Sequence, residues 1–173
     1  MQIPVTYLFV MMISLVIFFA LMFILSGLKI LKEWERVVVM RLGRYHSTKG
    51  PGIIWIVPIL DKIVLRIPVR EQSTEIDTGK YVSSHGSSIR LKGSVQWKVV
   101  DAERFALGMQ DHYQTILKTI QHHVVEVADS STNDAAFADS DELNYLVQIA
   151  LEPNFQKWGL EVKNVDLHVA VEG

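Results

Sequence analysis

The chain has 173 residues, 49% of them hydrophobic, a formal net charge of −2 and no cysteine, which excludes disulfides, thiolate metal sites, cysteine catalysis and S-palmitoylation. Its charge is uneven: residues 29–70 carry nine basic and three acidic side chains, and residues 71–173 eight basic and sixteen acidic. The acidic distal part would repel phosphates, so nucleic acid is not an expected partner.

From Met1 to Leu28 there is no Asp, Glu, Lys, Arg or His, and almost every side chain from Ile3 to Leu25 is apolar. A bilayer core needs roughly 20 apolar residues in helix, and a helix satisfies its own backbone in lipid. The stretch predicts a transmembrane anchor over residues 1–31, with Leu8, Phe9, Phe18, Phe19 and Phe23 facing lipid and Lys29 to Glu35 continuing the helix as a polar turn. Two alternatives stand beside it. A cleaved signal peptide would carry a basic start and an apolar run of about 7 to 15 residues; here no basic side chain precedes the longer run, and Ser26-Gly27 is a weak cleavage site. A buried core helix would have to be covered on all faces. The basic flank after the run (Lys29, Lys32, Arg41, Arg44, Lys49) suits anionic headgroups. It also predicts a single-pass protein of the plasma or inner membrane with its domain on the cytoplasmic side, a signal diluted by Glu33 and Glu35.

Arg36 to Leu42 reads as a strand through Val37, Val38 and Val39. Gly43 to Gly52 reads as loop, with Gly50-Pro51-Gly52 a turn. The run Ile53 to Leu60 is too short to span a bilayer, and Pro58 argues against a central strand. Lys62 to Val69 alternates as a strand, and Glu71 to Val82 holds one or two more. Ser83 to Ser88 reads as a hairpin turn around Gly86. From Ile89 to Val99, the residues Ile89, Leu91, Val95, Trp97 and Val99 share one face, and Gly93 suggests a bulge.

Asp101 caps a short helix from Ala102 to Leu107 ended by Gly108. Asp111 opens a longer one with Tyr113, Ile116, Leu117, Ile120, Val124 and Val127 as its core stripe. A third helix starts at Ser140 or Asp141 and carries Leu143, Leu146, Val147, Ala150, Leu151, Phe155 and Trp158. Pro153 should kink or split it, and Gly159 ends it. The last strand shifts phase between Val162 and Val165, which predicts a bulge. Strands, then helices, then a returning strand make the fold class α+β: an antiparallel sheet with packed helices behind a single transmembrane helix. Boundaries are expected at 1–31 for the anchor, 32–79 for a membrane-proximal subdomain and 80–173 for a distal one.

Several pieces together resemble the stomatin/prohibitin/flotillin (SPFH, or band 7) family, nearest to its stomatin-like branch. They are Glu35-Arg36-Val37-Val38, Arg41-Leu42-Gly43-Arg44-Tyr45, Gly50-Pro51-Gly52, Pro58, Asp61, Arg66 and Arg70-Glu71-Gln72. Further along come Val95, Trp97, Val99 to Asp101, Asp141-Glu142-Leu143-Asn144 and Trp158-Gly159-Leu160-Glu161-Val162. The resemblance covers about Leu31 to Val171. It implies a membrane scaffold with no catalytic centre, which assembles into rings or cages around lipid microdomains and accompanies membrane proteases or channels. It also implies that Gly50 to Leu60 dips into the near leaflet, with Ile53, Ile54, Trp55, Ile56, Ile59 and Leu60 in contact with lipid. Read from the residues alone, that segment is equally a buried strand. Members usually continue into a long coiled coil, whereas this chain stops at Gly173, which puts closed cages in question.

The remaining chemistry is sparse. His122 and His123 are adjacent and point about 100° apart on a helix, and His46, His85, His112 and His168 are scattered, so no metal is expected. The acids Asp129, Asp134, Asp139, Asp141 and Glu142 lack a calcium-loop pattern and read as caps and solvated loop. The serines around His85 sit in no nucleophile elbow, there is no phosphate-binding loop, and Trp97 and Trp158 read as core. The expected protein is therefore not an enzyme and takes no cofactor. Its partners are the lipid bilayer, SPFH proteins as homo- or hetero-oligomer, and a membrane protease or channel. The alternative is a small anchored adaptor that binds one protease or a larger relative without self-assembly; a tethered hydrolase is the third reading.

Overall fold

The structure is a computed structural model, described here for residues 5–82, 88–109, 111–130 and 140–169. The chain divides into two compact units, Met1–Arg66 and Ile67–Gly173.

The first unit opens with helix α1, Val5–Ser26. Five strands follow: β1 Leu28–Leu31, β2 Glu35–Arg41, β3 Arg44–Lys49, β4 Gly52–Trp55 and β5 Asp61–Pro68, whose last residues cross the boundary. β1 and β4 form an antiparallel ribbon, and β3, β2 and β5 form a three-stranded sheet with β2 central. Val37, Val38 and Val39 are all buried, so β2 is covered on both faces and reads as a continuous apolar run. Val37 and Val39 pack with Leu31, Ile54, Ile56 and Ile63.

Two expectations are corrected in this unit. Lys29 to Leu31 is strand, not helix, because its backbone pairs with Gly52 to Ile54. Residues 44–49 are strand, not loop: β2 turns into β3 through Leu42 and Gly43, at φ 50° and 81°. A left-handed leucine is an unusual occupant of such a turn.

The second unit contains β6 Gln72–Asp77, β7 Tyr81–Val82, β8 Ser88–Ile89, β9 Leu91–Val99, α2 Ala102–Gly108, α3 His112–Ser130, α4 Ser140–Lys157 and β10 Leu160–Val169. β9 is the centre of an antiparallel sheet in the order β10-β9-β6. Alternate residues Leu91, Val95, Trp97 and Val99 are buried, as the period-two pattern requires. The Trp97 indole donates to Thr74 Oγ1 at 2.9 Å, which satisfies both buried polar groups. α3 buries Ile116, Ile120, Val124 and Ala128, and α4 buries Leu143, Val147, Leu151 and Phe155. Asn144 Oδ1 accepts from the Leu167 amide at 2.9 Å and ties α4 to β10. The fold is α+β, an antiparallel sheet with packed helices.

The Asp101 cap is as expected: its carboxylate accepts from the amides of Glu103 and Arg104 at 3.0 and 3.1 Å. So is the phase shift of the last strand, which falls between Val162 and Asn164. Tyr113 is exposed, and Ala128 takes a place in the α3 stripe that had been assigned to Val127. Pro153 does not split α4. Gly93 is not a bulge: pairing runs unbroken through Ile76, Gly93 and Leu167. A Cβ there would lie 1.9 Å from the Asp166 carbonyl oxygen, so glycine is required by the close approach of β10. The helix ends at Ser26, and the two units meet at Arg66/Ile67, with β6 paired to β9. Gly86 and its turn lie outside the described residues.

Candidate membrane interface

α1 has 22 residues, about 33 Å at 1.5 Å per residue, which matches a hydrocarbon core of about 30 Å. From Thr6 to Ser26 every residue is exposed. Leu8, Phe9, Phe18, Phe19 and Phe23 are all exposed, which removes the buried core helix from consideration.

The end of the helix is closely fitted. The last carbonyls of a helix have no partner within it, and in lipid each such group is costly. Here Ser26 Oγ donates to the Phe23 carbonyl at 2.9 Å, and the Trp55 indole donates to the Ile24 carbonyl at 3.0 Å. The Ile56 amide donates to the Gly27 carbonyl at 2.9 Å. Gly27 leaves room for this clamp: a Cβ there would lie 2.3 Å from the Ile56 oxygen and 2.5 Å from Trp55 Nε1.

The ribbon that follows has two faces. Leu28 pairs with Trp55 and Ile30 with Ile53, so these four side chains share one side. All four are exposed, Ile30 at 79% and Ile53 at 76%. The opposite side puts Leu31 and Ile54 into the core, with Ile56 beyond them.

Of the residues expected to touch lipid, Ile53, Trp55, Ile59 and Leu60 are exposed, whereas Ile54 and Ile56 are core residues. The run looked uniform because both of its faces are apolar. Leu28 and Ile30 are exposed beside Ile53 and Trp55, a placement that only a strand reading of Leu28 to Leu31 shows. Of the basic residues, Lys29, Lys32 and Arg44 are exposed. Arg41 is committed to Asp61 through two hydrogen bonds of 2.6 and 3.0 Å, and Lys49 Nζ bonds the Trp55 carbonyl. Both side chains are bonded within the protein. The Arg41 guanidinium, helped by the Val57 amide, keeps the Asp61 carboxyl well below the usual carboxylate range.

The second unit has a cleft of about 540 Å³ lined by Arg104, Glu152, Gln156 and Glu161 among others. Several of its polar groups are paired: Arg104 with Asp101, Gln156 with Glu152, and Glu161 with Lys98 and Lys163. His123 lies between Glu126 Oε2 at 3.0 Å and Asn154 Nδ2 at 2.8 Å. His85 and most of the acidic loop fall outside the described residues.

Residues 29–170, which hold the ribbon, the β-rich unit and the sheet with its helices, match the SPFH domain / Band 7 family. The chain belongs to this family. A stomatin homolog of Pyrococcus horikoshii is 27% identical over 154 residues, 89% of this chain and 58% of the relative. Stomatin-like protein 3 of Homo sapiens is 27% identical over 142 residues, 81% and 48% of the two chains. Stomatin-1 of Caenorhabditis elegans is 27% identical over 141 residues, 81% and 42%. The chain thus spans roughly half the length of these relatives. It is a stomatin-like SPFH protein, and with its apolar helix a single-pass membrane protein.

Proposed function

We propose that the chain is a membrane scaffold that carries out no chemistry of its own. The helix anchors it, the ribbon lays a second apolar surface on the near leaflet, and protomers associate side by side to confine lipids and neighbouring membrane proteins such as proteases or channels. The observation that carries this reading is the exposed face of Leu28, Ile30, Ile53 and Trp55, which begins two residues after the helix ends. Soluble surfaces rarely present such a cluster without a partner, and tryptophan beside basic residues favours the bilayer interface. Lateral assembly multiplies modest lipid contacts into strong retention. The basic flank supports a domain on the cytoplasmic side.

The test is extraction of the full chain with its native lipids, followed by electron microscopy and mass measurement. A multi-subunit, lipid-containing particle is expected. A single copy in native membranes and in every detergent overturns the assembly, and recovery with one stoichiometric partner and no second copy would make the protein an adaptor instead.

A further inference from the structure

The two non-glycine residues with positive φ among the described residues are Leu42 at 50° and Ile59 at 76°. Bulky apolar side chains rarely adopt this conformation, least of all β-branched ones. Both are also among the most exposed apolar groups of the chain, at 78% and 94%. A backbone held in an unfavourable region to present grease to the outside points to something that receives it. The Leu42 amide donates to the Leu60 carbonyl at 3.2 Å, which joins the β2–β3 turn to the loop after β4. The Asp61 carboxylate accepts from Arg41 and from the Val57 amide, and closes that loop on itself. Between the two turns runs a groove of about 560 Å³, walled by Met40, Leu42, Ile59, Leu60, Ile63 and Val64 with Lys62 at its rim. Its volume is that of an ordinary small-molecule site.

The occupant follows from position and charge. Ile56 is hydrogen-bonded to Gly27, one residue past the helix. Ile59 is three residues further, at most about 10 Å of chain. The interfacial layer on each side of a bilayer core is about 5–8 Å deep. The groove therefore lies within a short stretch of chain of the membrane helix, on the same compact unit. Asp61 is neutralised by Arg41, which leaves Lys62 as the charged residue of the groove's lining. We propose that this groove binds one acyl chain of an anionic membrane phospholipid. The proposal rests on the reading that this unit lies on the membrane, and it goes further: a single lipid is held in a built site, separate from the flat face of Ile53 and Trp55.

The experiment uses the full chain in vesicles of phosphatidylcholine and phosphatidylglycerol, with a photoreactive diazirine on the acyl chain of the phosphatidylglycerol. Labelled peptides are mapped by mass spectrometry. Label is expected on Met40 to Leu42 and Ile59 to Val64, as well as on Ile53 to Trp55. The double variant Leu42→Asn, Ile59→Asn should lower groove labelling by at least about tenfold and leave the Ile53 to Trp55 label unchanged. Asparagine accepts the left-handed backbone, so the variant folds. Lys62→Gln should reduce groove labelling when the diazirine is carried by phosphatidylglycerol, but not when it is carried by phosphatidylcholine. Label on Ile53 to Trp55 with none in the groove, or groove label unchanged in the double variant, overturns the site while leaving the membrane contact standing. Label at neither place overturns both. Copy-to-copy crosslinks through Val64→Cys, with lipid excluded, would make the groove a protein interface and also overturn the proposal.

Discussion

The indole nitrogen of Trp55 lies 3.0 Å from the carbonyl oxygen of Ile24, thirty-one residues earlier in the chain. Together with the Ile56 amide on the Gly27 carbonyl, it fastens the membrane helix to the ribbon beside it. Trp55→Phe keeps a ring and removes the donor. The orphaned carbonyl should cost about 1–3 kcal/mol, read as a lower unfolding midpoint in lipid nanodiscs. Amide exchange should quicken at Gly27 and Ile56. An unchanged midpoint and unchanged exchange would mean that water or lipid serves the carbonyl equally well.

Gly27→Ala tests the same joint by bulk. A methyl group there meets the Ile56 oxygen at 2.3 Å, a backbone atom that must move. Overpacking of this kind costs about 1–3 kcal/mol. The variant should still sediment with membranes, because α1 is untouched, yet the Ile56 amide should lose its exchange protection. Full protection in the variant would show that the clamp is loose.

Acid should weaken the protein through two carboxylates. Arg41 and the Val57 amide hold Asp61 below its usual range, and Arg90 and the Gly79 amide do the same for Asp77. Both folded values lie beneath the ordinary 3.8, so this stabilisation is complete above about pH 5 and drains away as pH falls through 3.8 and lower. Denaturation midpoints measured from pH 7 down to pH 3 should fall. Asp61→Asn should start lower at pH 7 and show a flatter acid limb; a limb as steep as that of the parent would remove Asp61 from the account.

The rotation of α4 can be checked by a pair of substitutions two residues apart. Leu151 is fully buried and Ile149 is half exposed. Leu151→Ala should cost about 2–5 kcal/mol, and Ile149→Ala no more than about 0.5 kcal/mol, by chemical denaturation. Equal costs would mean that the helix is turned otherwise, or that the Ile149 side is covered in an assembly.

Legibility in the sequence followed the reach of the interactions. The Asp101 cap, the β10 bulge and the alternation of β9 depend on neighbours within a few residues, and could be read from spacing. β1 could not: Leu28 to Leu31 is compatible with helix, and only its pairing with Gly52 to Trp55, more than twenty residues on, makes it strand. The β2–β3 turn was hidden because Leu42 stands where asparagine or glycine would announce it. Ile54 and Ile56 were misplaced for a related reason. When a strand has core on one side and an apolar exposed face on the other, period two vanishes from the pattern. Gly27 reads from the sequence only as half of a small pair and Gly93 as a bulge, but the space they spare belongs to Trp55 and Ile56 in one case and β10 in the other, and sequence alone shows neither.

The joint at Gly27 has a mechanical side. A span connected by a slack linker can lean in its bilayer and nothing beyond it need respond. This one is stitched to a strand within a residue of its last turn. Helices lean to accommodate thicker or thinner membranes, and a lean of this helix would be passed to the ribbon through the bonds of Trp55 and Ile56.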